Sequence, residues 1–256
     1  AITYAIEDGS SYFNTILYGG SNSQQAITGV GFTPDWFWIK NRTSTSDHTV
    51  LDTVRAAGKL IYPSQNNVQD DSSAHNPSLD SDGLTLGGNY TDINKASNNY
   101  VLWNWKAGDS NTVVSASGSG DGAINACTHR ANQTAGFSIV KYEGANSQIS
   151  NSEDTKVTHG LGAKPELAII KNIDATDDWM VLSTSTSGFA SDSQTGDDAH
   201  LHLNTDDSIN GSLFTGHFET GSDSTHFEVG NEDSINTNGE NYIAYVFRSI
   251  PGFSKV

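Results

Sequence analysis

The sequence predicts an all-β protein of two tandem antiparallel β-sandwich (jelly-roll) domains that arose by internal duplication. The first observation is a repeat: YFNTILYGGSNSQ at residues 12–24 returns as GFSIVKYEGANSQ at 136–148. GVGFTPDWFWIKNR (29–42) returns as HGLGAKPELAIIKNI (159–173), and NYVLWNW (99–105) as NYIAYVF (241–247). Three blocks kept in order over more than a hundred residues point to duplication rather than to low-complexity matching, and the period is far too long for a solenoid. The second observation is a run of short alternating or β-branched segments separated by Gly, Ser, Asn and Asp, the pattern of antiparallel sheets. The third is the near absence of helical periodicity.

Taken in order, the expected strands are 36–40, 83–87 and 100–105 in the first copy. In the second they are 137–142, 167–171, 179–183, 226–229 and 242–247. Pro34 and Pro165 stand just before their strands, where a missing N–H costs no ladder bond. The single stretch with helical character is DTVRAAGKL (52–60), which is short and carries Gly58 near its end. The expected organisation is one domain over 1–107, a Gly/Ser-rich connector over 108–135 and a second domain over 136–256. Val113 and Val114 suggest that the connector forms a hairpin rather than a free linker. The polar stretch 183–207 reads as a long loop, the usual seat of recognition on a β scaffold.

Composition narrows the function. Thirteen basic residues against 30 acidic give a net charge of −17, which repels a phosphate backbone and offers no basic stripe, so nucleic acid is excluded as an expected partner. The same charge disfavours an anionic membrane, and no apolar run approaches the roughly 20 residues of a spanning helix, so no membrane insertion is expected. Cys127 is the single cysteine, which rules out an intrachain disulfide and leaves packing to hold the fold. No charged-then-apolar leader is apparent at the N-terminus.

Four constellations carry potential chemistry. Trp36/Trp38 and Trp103/Trp105 are spaced i,i+2, so each pair shares one face of a strand and could stack on a sugar ring. Their counterparts Leu167/Ile169 and Tyr245/Phe247 are residues that a core accepts and a sugar platform does not, so core is the expectation. Asp70-Asp71 with Asp80 and Asp82, and Asp197-Asp198 with Asp206-Asp207, are carboxylate groups in loops of the kind calcium takes. They lack the calcium-loop pattern with its distal Glu, so solvated acidic loops are expected and no cofactor is implied. His200 and His202 would project from one side of a strand and could ligate a transition metal, yet no third ligand stands at a fixed spacing. The chain has no nucleophile elbow, no zinc-protease helix, no phosphate loop and no strand of alternating carboxylates, so it is not expected to be an enzyme.

GFTPDWFWIKNR, Asp47-His48, LDTVRAA (51–57), DSDGLTLG (80–87) and YVLWNWKAG (100–108) together resemble a module of virion proteins from tailed bacteriophages, marine and cyanobacterial ones especially. The second copy resembles another repeat of such fibre and tail proteins. The resemblance spans about 12–248, although the second copy has STSTSGFA (183–190) where the first has DTVRAA. It implies a concanavalin-like or related sandwich on the virion and does not imply any catalytic residue. The expected function is a tail-fibre or receptor-binding component that attaches to host surface glycan. A capsid-decorating or head-fibre protein bound to other virion proteins is one alternative, and a free lectin is the other. A homo-oligomer is expected, with three copies. Ligand contacts are expected in the polar loops, at Asn41, Asp47, His48, Asp197, Asp198, His200 and His202.

Overall fold

The computed structural model describes residues 5–56, 58–71, 77–145, 154–184, 200–209 and 218–256. The chain is almost entirely β and falls into two compact units, Ile6–Ala107 and Gly108–Val256, with Ala5 grouped with the second.

In the first unit the strands are β1 (Phe13–Gly19), β2 (Gln25–Ile27), β3 (Trp36–Asn41), β4 (His48–Asp52), β5 (Ser78–Asp80), β6 (Gly83–Leu86) and β7 (Asn99–Trp105). They form a four-stranded sheet of order β1-β7-β3-β4 and a smaller one of order β2-β6-β5, all antiparallel. Period-two alternation decides what is inside: Phe37 and Ile39 of β3 and Tyr100 and Leu102 of β7 meet Ile27, Leu84 and Leu86 of the small sheet in one apolar cluster. The core therefore lies between the two sheets.

The second unit contains β8 (Thr112–Val114), β9 (Cys127–Asn132), β10 (Phe137–Glu143), β11 (Thr155–Thr158), β12 (Leu167–Asn172), β13 (Met180–Ser183) and β14 (Leu201–His202). These are followed by α1 (Phe218–Gly221), β15 (His226–Val229), α2 (Asp233–Asn236) and β16 (Asn241–Phe247). Its large sheet has the order β14-β13-β12-β16-β10-β9-β8, and β11 pairs with β15. Val140, Tyr142, Ala168, Ile170, Ala244 and Val246 of the large sheet pack with Val157, Phe227 and Val229 of the small one. Residues 108–135, read from sequence as a connector, thus supply two strands of this sheet, with Val114 opposite Cys127.

The order β1-β7-β3-β4 recurs as β10-β16-β12-β13. Registers also correspond: β1 meets β7 from Phe13↔Trp105 to Gly19↔Asn99, and β10 meets β16 from Phe137↔Phe247 to Glu143↔Asn241. Trp36 faces Trp105 across the ladder as Leu167 faces Phe247. Each leading strand is followed directly by a glycine where nothing larger fits. A Cβ on Gly20 would stand 2.2 Å from the Lys95 carbonyl oxygen, and one on Gly144 would stand 2.1 Å from that of Thr237.

Two sequence expectations change. The 52–60 stretch forms no helix among its described residues: Asp52 ends β4, and its Oδ1 accepts the Val54 and Arg55 N–H groups, turning the chain instead. Of the four indoles expected in the core Trp36 is buried, but all four lie on the opposite face of the four-stranded sheet from the apolar cluster. Trp36 is 2% exposed, whereas Trp38, Trp103 and Trp105 are half-buried. Trp36 packs against Trp105 with ring centroids 4.3 Å apart, so the aromatic pairs stabilise one another across strands rather than filling the inter-sheet core.

Candidate functional site

Asn41, at the end of β3, is 1% exposed and its amide is engaged by the fold. Nδ2 donates to the Thr91 carbonyl at 2.9 Å, with Ser46 Oγ at 3.3 Å and Tyr100 Oη at 3.4 Å. Oδ1 accepts the N–H groups of Thr43 at 2.9 Å and Ser44 at 3.2 Å, which sets the turn after the strand. Tyr100 donates to the same Thr91 carbonyl at 2.9 Å, accepts Lys95 N–H at 2.8 Å and stacks on Tyr18 with centroids 5.0 Å apart. Expected as a ligand contact, Asn41 is instead the post that holds the 42–48 loop. A buried amide cannot serve a ligand without abandoning these bonds.

The loop it holds carries Asp47 and His48, and these do come together with other groups. Asp47 accepts Ser64 Oγ at 2.9 Å and the Gln65 amide, while the His48 N–H donates to Ser64 Oγ at 3.1 Å. Nδ1 of His48 accepts the Trp38 indole N–H at 2.8 Å, with the two rings edge-to-face. Burial lowers the His48 pKa, assisted by Lys40 and opposed by Asp47, so near neutral pH the ring is neutral and carries its proton on Nε2. The result is a half-buried indole whose N–H is held by the imidazole, on a loop where a carboxylate, a hydroxyl and an amide bond to one another. Ser64 and Gln65 were not marked by the sequence, because contacts across 16 to 18 residues leave no local pattern.

The second unit builds the same post with different chemistry around it. Asn172 Oδ1 accepts Asp174 and Ala175 N–H at 3.1 and 3.0 Å, and Tyr242 stacks on Tyr142 at 5.1 Å. Its Nδ2, however, donates to Asp177 at 2.8 Å and Glu240 at 2.6 Å, where the first unit has Ser46 and Asn98. Burial raises the Asp177 pKa. Glu232 is pushed up to about 7 by burial, then by Asp233 and Asp177. On the other face of β12, burial pushes Lys171 down to about 8, and its amine donates to the Asn172 and Ala175 carbonyls.

Of the remaining expected residues, Asp197 and Asp198 lie outside the described residues. His200 is 2% exposed and its Nδ1 has no hydrogen-bond partner among the described residues; its ring lies 5.1 Å from that of His202, and burial pushes it down to about 4. His202 Nδ1 is 3.7 Å from Asp207 Oδ2. Among the described residues no group of three or more His, Cys, Asp or Glu side chains is arranged to hold a metal ion. The loop aspartates of the first unit are occupied locally. Asp82 accepts the Gly29 and Gly31 N–H groups at 3.0 and 2.6 Å, Asp70 accepts Tyr62 Oη at 2.9 Å, and Asp71 pairs with Lys59 at 2.7 Å. Cys127 is buried, and desolvation pushes its thiol up to about 11. No helix of the described residues is long and apolar enough to cross a membrane.

Comparison with curated proteins and with solved structures returned no match. A family model does match, and it runs through both units. The chain belongs to the family described as Domain of unknown function (DUF7483), matched over residues 8–256.

Proposed function

We propose that the chain is a non-catalytic virion structural protein of a tailed bacteriophage, a tail-fibre or receptor-binding component that contacts glycan on the host surface. On this reading its two units are β-sandwiches descended from one duplicated ancestor. The recurring strand order and the paired Asn–Tyr–Tyr posts support common descent. The observation that carries the binding reading is the half-buried Trp38 indole held by His48, whose own backbone N–H joins the hydrogen-bonded group Asp47, Ser64 and Gln65. A pyranose offers an apolar face that stacks on such a ring and hydroxyls that exchange hydrogen bonds with the surrounding polar groups. The Asp47–His48 loop is thus the preferred contact, without a metal or other cofactor. Single-site affinity is expected to be weak, with Kd on the order of 0.1–1 mM, and useful attachment comes from several copies acting together.

The test is binding of linked copies of the full chain to immobilised bacterial surface polysaccharides, comparing the parent with W38A and D47A while following release of new reducing ends. Variants that keep the parent's melting temperature and lose at least tenfold in binding support the reading. Release of reducing ends overturns the non-catalytic part. Absence of glycan binding by the parent, with binding to assembled capsids, favours the capsid-decorating alternative.

A further inference from the structure

We infer that the free edge of β1 is a docking site for β1 of a second copy of this chain, paired antiparallel about a two-fold axis at Leu17. Among the described residues β1 lies at the end of its sheet and pairs only with β7. The bonds Lys106 N–H to the Tyr12 carbonyl and Gly20 N–H to the Asn98 carbonyl bracket the strand. Residues 12, 14, 16, 18 and 20 therefore turn their backbone groups to β7, and 13, 15, 17 and 19 turn theirs outward. Leu17 is 63% exposed, and its outward N–H and C=O have no partner among the described residues.

The second unit shows how this edge is filled. β10 corresponds to β1, and there β9 pairs along it antiparallel from Phe137↔Asn132 to Tyr142↔Cys127, with Lys141, the counterpart of Leu17, opposite Thr128. The first unit has no strand in that place among the described residues. β1 also lacks the usual protection of an exposed edge: its seven residues, FNTILYG, include no charge and no proline, and its register with β7 runs without a bulge. In a chain of net charge −17, an uncharged edge is where two copies can approach closely.

The strand is also self-complementary. Thr15 N–H is already held by Asn14 Oδ1 at 2.8 Å, and the Gly19 carbonyl by Gln25 Nε2 at 2.9 Å. Placing Leu17 opposite Leu17 of the second copy sets Thr15 opposite Gly19, so these two occupied groups face each other. The free ones then pair: each Leu17 N–H with the other Leu17 carbonyl, and each Gly19 N–H with the other Thr15 carbonyl. Four hydrogen bonds join the two four-stranded sheets into one of eight. The closed assembly has two copies, in place of the three expected from the sequence.

The experiment is sedimentation of the full chain across a concentration series, with L17K and L17C. The parent is expected to dimerise. L17K sets two ammonium groups against each other at an exposed position and should raise the dissociation constant at least tenfold with unchanged melting. L17C should form an intermolecular disulfide under mild oxidation, since residues opposite each other in a hydrogen-bonded pair lie about 5.5 Å apart at Cα, within disulfide range. Cys127 is buried and does not compete. A parent that stays monomeric at every concentration overturns the inference, as does a trimer, or a dimer that L17K leaves intact. If L17K does not fold, the L17C disulfide decides: its absence in a dimerising protein places the interface elsewhere.

Discussion

Replacing Asn41 with Ala should destabilise the first unit by about 2–4 kcal/mol. The side chain makes three well-formed bonds, at 2.9 Å to Thr91 and at 2.9 and 3.2 Å from Thr43 and Ser44. Each is worth about 0.5–1.5 kcal/mol net, with more lost wherever a buried partner is left without a substitute. The Thr91 carbonyl keeps its bond from Tyr100, so it is not orphaned; the loss falls on the Thr43 and Ser44 N–H groups, which lie at an exposed turn and recover water. That places the expectation in the middle of the range. N41D keeps the acceptor but sets a carboxylate against a carbonyl oxygen at a 1% exposed position, and should cost at least as much. Urea denaturation followed by tryptophan fluorescence is a selective assay, because four of the five tryptophans, Trp36, Trp38, Trp103 and Trp105, lie in this unit. A change below about 0.5 kcal/mol in N41A would refute the assignment of Asn41 as a structural post. So would unaltered stability with a selective loss of glycan binding, which would restore it as a ligand residue.

Three further outcomes follow from the same geometry. Glu232 has a folded pKa of about 7 against an ordinary 4.5, so the native state holds its proton more tightly: its contribution is full below about 4.5 and is lost as pH rises to about 7, a fall of about 1–3 kcal/mol. E232Q should flatten that part of a stability–pH profile, and an unchanged slope would show that the carboxyl is not the titrating group. D52A leaves the Arg55 guanidinium, paired at 2.6 Å in a 6% exposed site, without its counter-charge and should cost about 3–5 kcal/mol in the same urea assay. The Cys127 thiol should resist a thiol reagent in the native protein at pH 8 and react once urea unfolds it; fast native labelling would contradict its burial.

Much of the fold was legible because period two is a strong local signal. Every strand expected from alternation, such as 36–40 and 242–247, has an observed counterpart within a residue or two at each end. The strands outside that expectation are β1, β2, β4, β5, β8, β9, β11 and β14, with β8 falling at the Val113-Val114 hairpin suggested by the sequence; β2, β5, β8, β11 and β14 have only two to four residues each. These short strands are held by pairing rather than by propensity, and so carry no pattern of their own. The tryptophans mislead for a related reason. Alternation says that Trp36 and Trp38 share a face, but not which of the two faces meets the small sheet; Phe37 and Ile39 take that place. Asp47 and His48 were singled out because they stand in an obvious polar loop, whereas the use of Asn41 could not be read, since a ligand-binding amide and a turn-capping amide are the same residue in the same position. The aligned pair Lys40-Asn41 and Lys171-Asn172 was the available clue, as an asparagine present in both segments while the residues after it differ is more readily explained by a shared turn than by a shared ligand.

The posts at Asn41 and Asn172 separate the shape of a loop from its identity. Asn41 grips the backbone N–H groups of Thr43 and Ser44, and Asn172 those of Asp174 and Ala175; the one side-chain requirement in those positions is an oxygen at 43 or 174 to receive the N–H of Asn99 or Asn241. Ser44 and Ala175 already differ in chemistry on the same turn. A surface organised in this way can exchange hydroxyls for methyls or carboxylates at its tips without renegotiating the scaffold below. A protein whose contacts must follow a changing counterpart could diversify at these tips one residue at a time, at almost no cost in folding.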